Sequence, residues 1–209
     1  MNADTFFSET DKQKIADTIE AVEKETAGEV AVMVVDRSDT YPEARILTGI
    51  LIGGLTTLVI TDLFFNDSLW YYIPLAAAFS FLIGWIAKGT PTILRFFIPA
   101  NRLEERVRER SVRAFYEKGL YKTRDASGVL FFFSLFEHKV WVLADHGIYS
   151  KIKPEELQGH AHAVVKGIKQ GNAAESLCAE IAKTGKILAR HFPIKADDTN
   201  ELSNNVIIN

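Results

Sequence analysis

The side chains of this 209-residue chain best suited to chemistry are acids at the ends of hydrophobic runs. Asp36 closes the run EVAVMVVD (29–36), and Asp145 closes KVWVLAD (139–145). If these runs are adjacent parallel strands, both carboxylates emerge at one sheet edge, where open α/β folds place their ligands. Asp125 precedes a third run, GVLFFFSLF (128–136), in a TRDASG loop flexible enough to bring it to the same edge. Two or three carboxylates gathered there suit a hard cation with oxygen ligands. In the competing reading, Asp36 and Asp145 simply end strands and accept hydrogen bonds from turn amides. His146, beside Asp145, is placed to titrate or to donate to a phosphate. His160 and His162 lie two apart on one helix and point to different faces, so they form no chelating pair: one packs and one meets water. His138 falls in an exposed turn. The chain has no Gly-rich phosphate loop, CxxC pair, HExxH or nucleophile elbow. Cys178 has no second cysteine to pair with and reads as a small buried side chain.

The elements that must position these residues follow from periodicity and punctuation. Ser8 opens a helix with Asp11 in the capping-box position, Ile15, Ile19 and Val22 form its apolar stripe, and Gly28 is its expected C′ residue. EVAVMVVD is apolar on both alternating faces, which marks a central strand covered on both sides. RLEERVRERSVRAFYEK (102–118) is an amphipathic helix with Leu103, Val107, Ala114 and Phe115 inward, a Glu104–Arg108 pair outward and Gly119 as its stop. GVLFFFSLF and KVWVLAD read as a hairpin joined by Glu137 and His138. Pro154, Glu155 and Glu156 start a helix carrying Leu157, Val164 and Ile168. Asn172 with Glu175 caps the last helix, whose stripe is Leu177, Ile181 and Leu188. The expected fold is a small α/β layered domain.

The middle of the chain is of another kind. LWYYIPLAAAFSFLIGWIA (69–87) is nineteen positions without a charge, and ILTGILIGGLTTLVITDLFF (46–65) is interrupted only by Asp62. About 20 apolar residues cross a bilayer core of about 30 Å. The two runs are separated by Asn66, Asp67 and Ser68, so they read as a transmembrane hairpin. Gly49, Gly53 and Thr57, and likewise Ala76, Ser80 and Gly84, recur at four-residue spacing, which lets two membrane helices approach closely. Trp70, Tyr71 and Tyr72 fall at one interface and Trp85 at the other. Residues 1–44 carry four bases against eleven acids, whereas residues 88–124 carry ten bases against four acids. Acids interleave with the arginines of the basic stretch and no base-stacking motif accompanies it, so a nucleic-acid partner is not expected. Arg45 and Lys88 flank the hairpin, with Arg95 and Arg102 beyond, and the turn carries only Asp67. The positive-inside rule then makes this a multi-pass protein of the inner (cytoplasmic) membrane, its polar parts in the cytoplasm. Arg106, Arg110 and Arg113 share one helical face, which either meets lipid headgroups or is a solvated face salted by Glu105 and Glu109. The opening MNADTFFSETDKQ lacks the basic and apolar regions of a secretory signal.

Three segments carry a resemblance: FFSETDKQKIADTIEAVEKETAGEVAVMVV, RAFYEKGLYKTRDASGVLFFFSLFEHKVWVLADHGI and the paired terminal helices. Together they resemble the TPM domain, the phosphatase-like module of thylakoid-lumen photosystem-repair proteins, of an acetylcholine-receptor auxiliary protein and of many bacterial membrane proteins. The chain departs from that pattern in two ways. Its anchor is a hairpin inserted within the domain, and Asp145-His146-Gly147 stands where many members have a Gly-x-Gly turn. The resemblance implies an acid-phosphatase-like activity and a divalent metal, Ca2+ or Mg2+, with Asp36, Asp125 and Asp145 as ligands and Asp145 and His146 as catalytic candidates. The expected organisation is 1–44 and 91–193 as the two parts of a TPM-like domain, 45–90 as the transmembrane hairpin (46–65 and 69–87), and 194–209 as a flexible tail. With no nucleophile–base pair at motif level, the favoured function is a binding, assembly or regulatory module for a membrane-protein partner, held in the lipid bilayer. The alternative is a divalent-metal-dependent phosphatase acting on a phosphomonoester. Asp62 is the only ionisable group within the spans and lies near an interface, which argues against a transporter.

Overall fold

The computed structural model describes residues 2–66, 68–194 and 200–209. The chain divides into two compact units, Met1–Ser38 with Glu104–Asn209, and Asp39–Leu103.

The first unit is a mixed α/β layer. Its four-stranded sheet has the order β3-β2-β1-β4, from β1 (Glu29–Val35), β2 (Gly128–Ser134), β3 (Lys139–Ala144) and β4 (Ile207–Ile208). β1 pairs parallel with β2 and with β4, and β2 pairs antiparallel with β3. All seven residues of β1 and of β2 are buried, because helices cover both faces of the sheet. On one face Val30, Val32, Val34, Phe131, Phe133 and Val142 share a core with Ile15 and Ile19 of α2 (Glu9–Glu23). Leu157 and Val164 of α8 (Pro154–Lys169), and Leu177, Ile181 and Leu188 of α9 (Ala173–His191), complete that core. On the other face Ala31, Met33, Val35, Leu130 and Phe132 pack with Val107, Ala114 and Phe115 of α6 (Ala100–Glu117). Burying each large side chain contributes about 1.5–3 kcal/mol, so the Phe131–Phe133 triplet, buried on alternate faces, ties both helix layers to one strand.

The ends of these elements sharpen the sequence reading. Ser8 and Asp11 form the expected capping box of α2. That helix stops at Glu23, five residues before Gly28, which has no positive φ and so is not its C′ residue. Gly119 does stop α6, with φ 78°, and leads into a single turn, Leu120–Lys122. The link between β2 and β3 spans four residues, 135–138, rather than two. The Leu135 and Phe136 amides donate to Val35 and Asp36 carbonyls, prolonging the β1 ladder past the hairpin. Glu137 turns inward, accepting from the Ser38 amide and the Ser134 hydroxyl, and leaves His138 in the left-handed region with φ 51°. The Asn172 side chain makes no cap bond to α9. The expected Glu104–Arg108 pair is replaced by Glu104 on Lys139 of β3, at 2.9 Å. The last residues are no loose tail. Ile207 and Ile208 form β4 beside Met33 and Val34, and the Asn209 amide donates to the Val34 carbonyl. Residues 195–199 of the expected tail lie outside the described residues.

The second unit is a helical hairpin, α3 (Pro42–Phe65) and α4 (Leu69–Ala87), followed by the short α5 (Pro91–Phe96). Both long helices are long and apolar enough to cross a membrane. Gly49, Gly53 and Thr57 of α3 line the seam against Ser80 and Gly84 of α4; a Cβ on Gly53 would stand 2.6 Å from the Ser80 nitrogen. Thr48, Thr57 and Thr61 are buried, and each hydroxyl donates to the carbonyl four residues back. That disposes of the polar groups a small-residue seam introduces. Away from the seam Leu55, Val59, Leu63, Trp70, Ile73 and Phe81 are exposed.

Candidate functional site

Sheet topology decides which of the candidate acids meet. β3 returns antiparallel to β2 and is separated from β1 by it, so Asp36 and Asp145 stand at opposite ends of the sheet, correcting the expectation of one shared edge. Seven residues at about 3.3 Å each put them roughly 20 Å apart. Asp36 sits at the hairpin-turn end, where its Oδ1 accepts the Ala3 amide at 2.6 Å and ties α1 (Ala3–Phe6) to the sheet. Asp145 sits at the other end. Its amide donates to the Gly128 carbonyl, and its Oδ1 N-caps α7 (His146–Tyr149) by accepting from the His146 amide at 2.6 Å. Asp125 shares the Asp145 end, since β2 starts where β3 stops. A Cβ on Gly147 would lie 2.8 Å from the Asp125 carbonyl oxygen and 2.6 Å from that of Ala126, so glycine is required for the loop to rest against α7.

The triplet Asp36, Asp125 and Asp145 therefore does not fit one cation. Among the described residues no group of three or more His, Cys, Asp and Glu side chains is arranged to hold a metal. What remains at the Asp145 end is a dyad. His146 Nδ1 lies 2.9 Å from Asp145 Oδ1, its side chain 87% exposed, while Asp145 Oδ2 is buried with no hydrogen-bond partner.

Two polar clusters form from residues the sequence left apart. His160 of α8 packs and His162 is exposed, as expected, but His160 Nδ1 pairs with Glu180 Oε2 of α9 at 2.7 Å. Glu180 Oε1 also accepts Lys183 Nζ at 2.7 Å. Burial pulls the Glu180 pKa upward, but the hydrogen bonds and charges of Lys183 and His160 outweigh it and hold the carboxyl below its usual range. The second cluster joins α2, β1 and the C-terminal segment. Glu23 Oε1 accepts the Val30 amide at 3.1 Å, and the Glu29 carboxyl lies against Glu23 and accepts the Glu201 amide at 3.1 Å. Burial pushes the Glu23 pKa from 4.5 to about 8; the Val30 hydrogen bond opposes the rise and the Glu29 charge adds to it. One signal in the sequence pointed here: Glu29 is the single acid opening an otherwise apolar strand. The His160–Glu180 pair had no such signal, since helix packing alone brings positions twenty apart together.

A recess of the α/β unit lies along β3. Val112 and Arg108 of α6, Trp141 and Leu143 of β3, Tyr149 and Gln158 border a groove of about 550 Å³. The edge of β3 is itself closed to another strand. Gln158 Nε2 donates to the Val142 carbonyl at 2.6 Å, and the Ala144 amide donates to the Tyr149 hydroxyl at 3.2 Å. Of the arginine face on α6, Arg106 pairs with Glu109 at 2.7 Å and Arg110 with Glu117 at 3.0 Å, which accounts for much of it as a salted face.

The whole chain resembles one solved structure, the BA42 protein from the psychrophilic bacterium Bizionia argentinensis, determined by NMR. The TM-score is 0.61 at 20% identity, over 98% of this chain and 96% of that one. At that identity the likeness is one of fold. No protein-family model matches the chain, and no curated protein does.

Proposed function

We propose that this chain is a TPM-like α/β domain anchored in the inner membrane by the α3–α4 hairpin. Its polar unit faces the cytoplasm and serves as a binding or assembly module for a membrane-protein partner. The observation that carries this reading is the hairpin itself: two long apolar helices packed through small residues, with Leu55, Leu63, Trp70 and Phe81 turned outward. Exposed apolar surface of that extent is stable in hydrocarbon and is a liability in water. Arg45 and Lys88 at one end of the pair and the charge-poor turn at the other favour the cytoplasmic side. The α6–β3 groove supplies a place for a partner side chain, with Trp141 and Tyr149 as aromatic anchors. Two of the candidate acids have structural partners, Asp36 on the Ala3 amide and Asp145 on α7, which fits a binding module.

The test has two arms. The full chain should stay with membranes through alkaline carbonate extraction; release into the supernatant would end the anchoring reading. A photocrosslinker at Val112 should then yield one discrete membrane-protein adduct that Leu143→Arg abolishes. An adduct pattern unchanged by Leu143→Arg would remove the groove from the reading.

A second reading, hydrolysis of a phosphomonoester, is favoured by one feature: the unpartnered Asp145 Oδ2 beside the exposed His146 imidazole. His146 there would donate a proton to a leaving-group oxygen. Aryl-phosphate hydrolysis by the purified chain, with and without Ca2+ or Mg2+, and lost in both Asp145→Asn and His146→Gln, would establish it. Rates equal to the variants' would dismiss it.

A further inference from the structure

Arg45 flanks the hairpin at the start of its first helix. It lies in the first turn of α3; among the described residues its side chain makes no hydrogen bond or ion pair, and its Nε is buried without a partner. The acid two residues before it, Glu43, accepts Arg102 instead, at 3.5 Å. Beside Arg45 runs a groove of about 480 Å³ between the two long helices. Ile46 and Ile50 of α3 form one wall, Phe81 and Trp85 of α4 the other, and Ser80 and Gly84 the floor. The small floor residues make the groove, since Gly84 lets α4 approach the Arg45 carbonyl and leaves no side chain to fill the space. Its volume falls in the range of about 300–1,000 Å³ typical of small-molecule sites.

We infer that this groove binds one phospholipid with a net negative headgroup, its phosphate on the Arg45 guanidinium and an acyl chain along Ile46, Ile50 and Phe81. The inference rests on the hairpin lying in a bilayer. Depth supports it. The 24 residues of α3 span about 36 Å, longer than a hydrocarbon core of about 30 Å, so its first turn reaches the headgroup layer. Arg45 then stands at phosphate level and Ile46 begins the hydrocarbon. Trp85, 66% exposed, occupies the same border with its ring against the chain. A guanidinium presents parallel N–H donors that match a phosphate, and Arg45 as a whole is only half-buried, so its outer nitrogens face the groove mouth. A headgroup with net negative charge is preferred over a zwitterionic one, whose own cation competes for the phosphate.

The experiment is native mass spectrometry of the detergent-purified full chain, given equimolar phosphatidylglycerol and phosphatidylcholine. A companion flotation assay uses vesicles of phosphatidylcholine alone. The wild type should retain one phosphatidylglycerol about fivefold over phosphatidylcholine. Arg45→Gln should erase the preference, and Ile50→Trp, which fills the groove and keeps the arginine, should erase retention. Both variants should still float. Equal retention of the two lipids by the wild type, or a preference unchanged in Arg45→Gln, would overturn the lipid site while leaving the membrane anchor intact. Displacement of the lipid by inorganic phosphate alone would reduce the site to a headgroup contact and overturn the acyl groove. Failure of the wild type to float would overturn the anchor, and this site with it.

Discussion

Replacing Glu23 by Gln should stabilise the α/β unit in alkaline solution and leave it nearly unchanged in acid. Glu23 is raised from 4.5 to about 8 in the folded chain, so its carboxyl is neutral at pH 6 and shares a hydrogen bond with Glu29. With the folded pKa above the unfolded one, its contribution is fully present below pH 4.5 and is lost as pH rises through about 8. At about 1.36 kcal/mol per unit, the whole shift would be worth just under about 5 kcal/mol. The carboxyl is only partly buried, and screening by water reduces the effect to about 2 kcal/mol. Gln mimics the neutral acid, so the gap between variant and wild type should open from near zero at pH 5 to about 2 kcal/mol at pH 9, or about 4–8 °C in Tm. The place that gives way should be the C-terminal segment. Asn200 Nδ2 reaches Glu23 Oε2 at 3.4 Å, and Glu29 holds the Glu201 amide. Glu20 and Lys24, which border the same recess, pair with each other at 2.6 Å. Thermal unfolding of the full chain in detergent, with hydrogen exchange of residues 200–209 corrected for intrinsic rates, reads both effects. Parallel pH profiles for wild type and Glu23→Gln would refute the reasoning.

Breaking the α8–α9 pair by Glu180→Ala should cost about 1–3 kcal/mol, because it leaves the largely buried His160 imidazole without its hydrogen-bond partner. The lowered Glu180 pKa adds a sign: this stabilisation is present above pH 4.5 and fades as pH falls through the folded value, so the cost measured at pH 7 should shrink toward pH 3. In the hairpin, Gly53→Ala should lower the Tm in detergent by overpacking worth about 1–3 kcal/mol. Gly54→Ala, whose Cβ meets only the Tyr72 hydroxyl at 3.8 Å, should be neutral or slightly stabilising. Equal effects of the two glycines would mean that the seam is not where the structure places it. Asp145→Ala should lose about 1 kcal/mol of cap energy while Asp145→Asn retains most of it, since Asn also caps. Equally destabilised variants in denaturant unfolding would show that the capping role is wrong.

Much of the architecture was legible because it is written in local pattern. The capping box at Ser8, the all-apolar β1, the inward stripe of α6 and the two apolar helices each follow from side-chain type at a spacing of two or about four. The candidate site was not legible, because its meaning depended on strand direction. Asp36 and Asp145 end strands in the same way, and only the antiparallel return of β3 sends them to opposite ends. The β2–β3 link is longer than local pattern suggests for a similar reason: the Leu135 and Phe136 amides find partners on β1, a strand a hundred residues earlier. The tail was expected to be loose since two isoleucines among polar residues cannot sustain a strand alone. Docked on the buried edge of Met33 and Val34 they do. Glu23 with Glu29, and His160 with Glu180, show the same division. Sequence determined which segments are helices, strands and apolar spans, through local periodicity. Tertiary structure decided which charges share a dry environment, because that depends on which surfaces meet when the layers close.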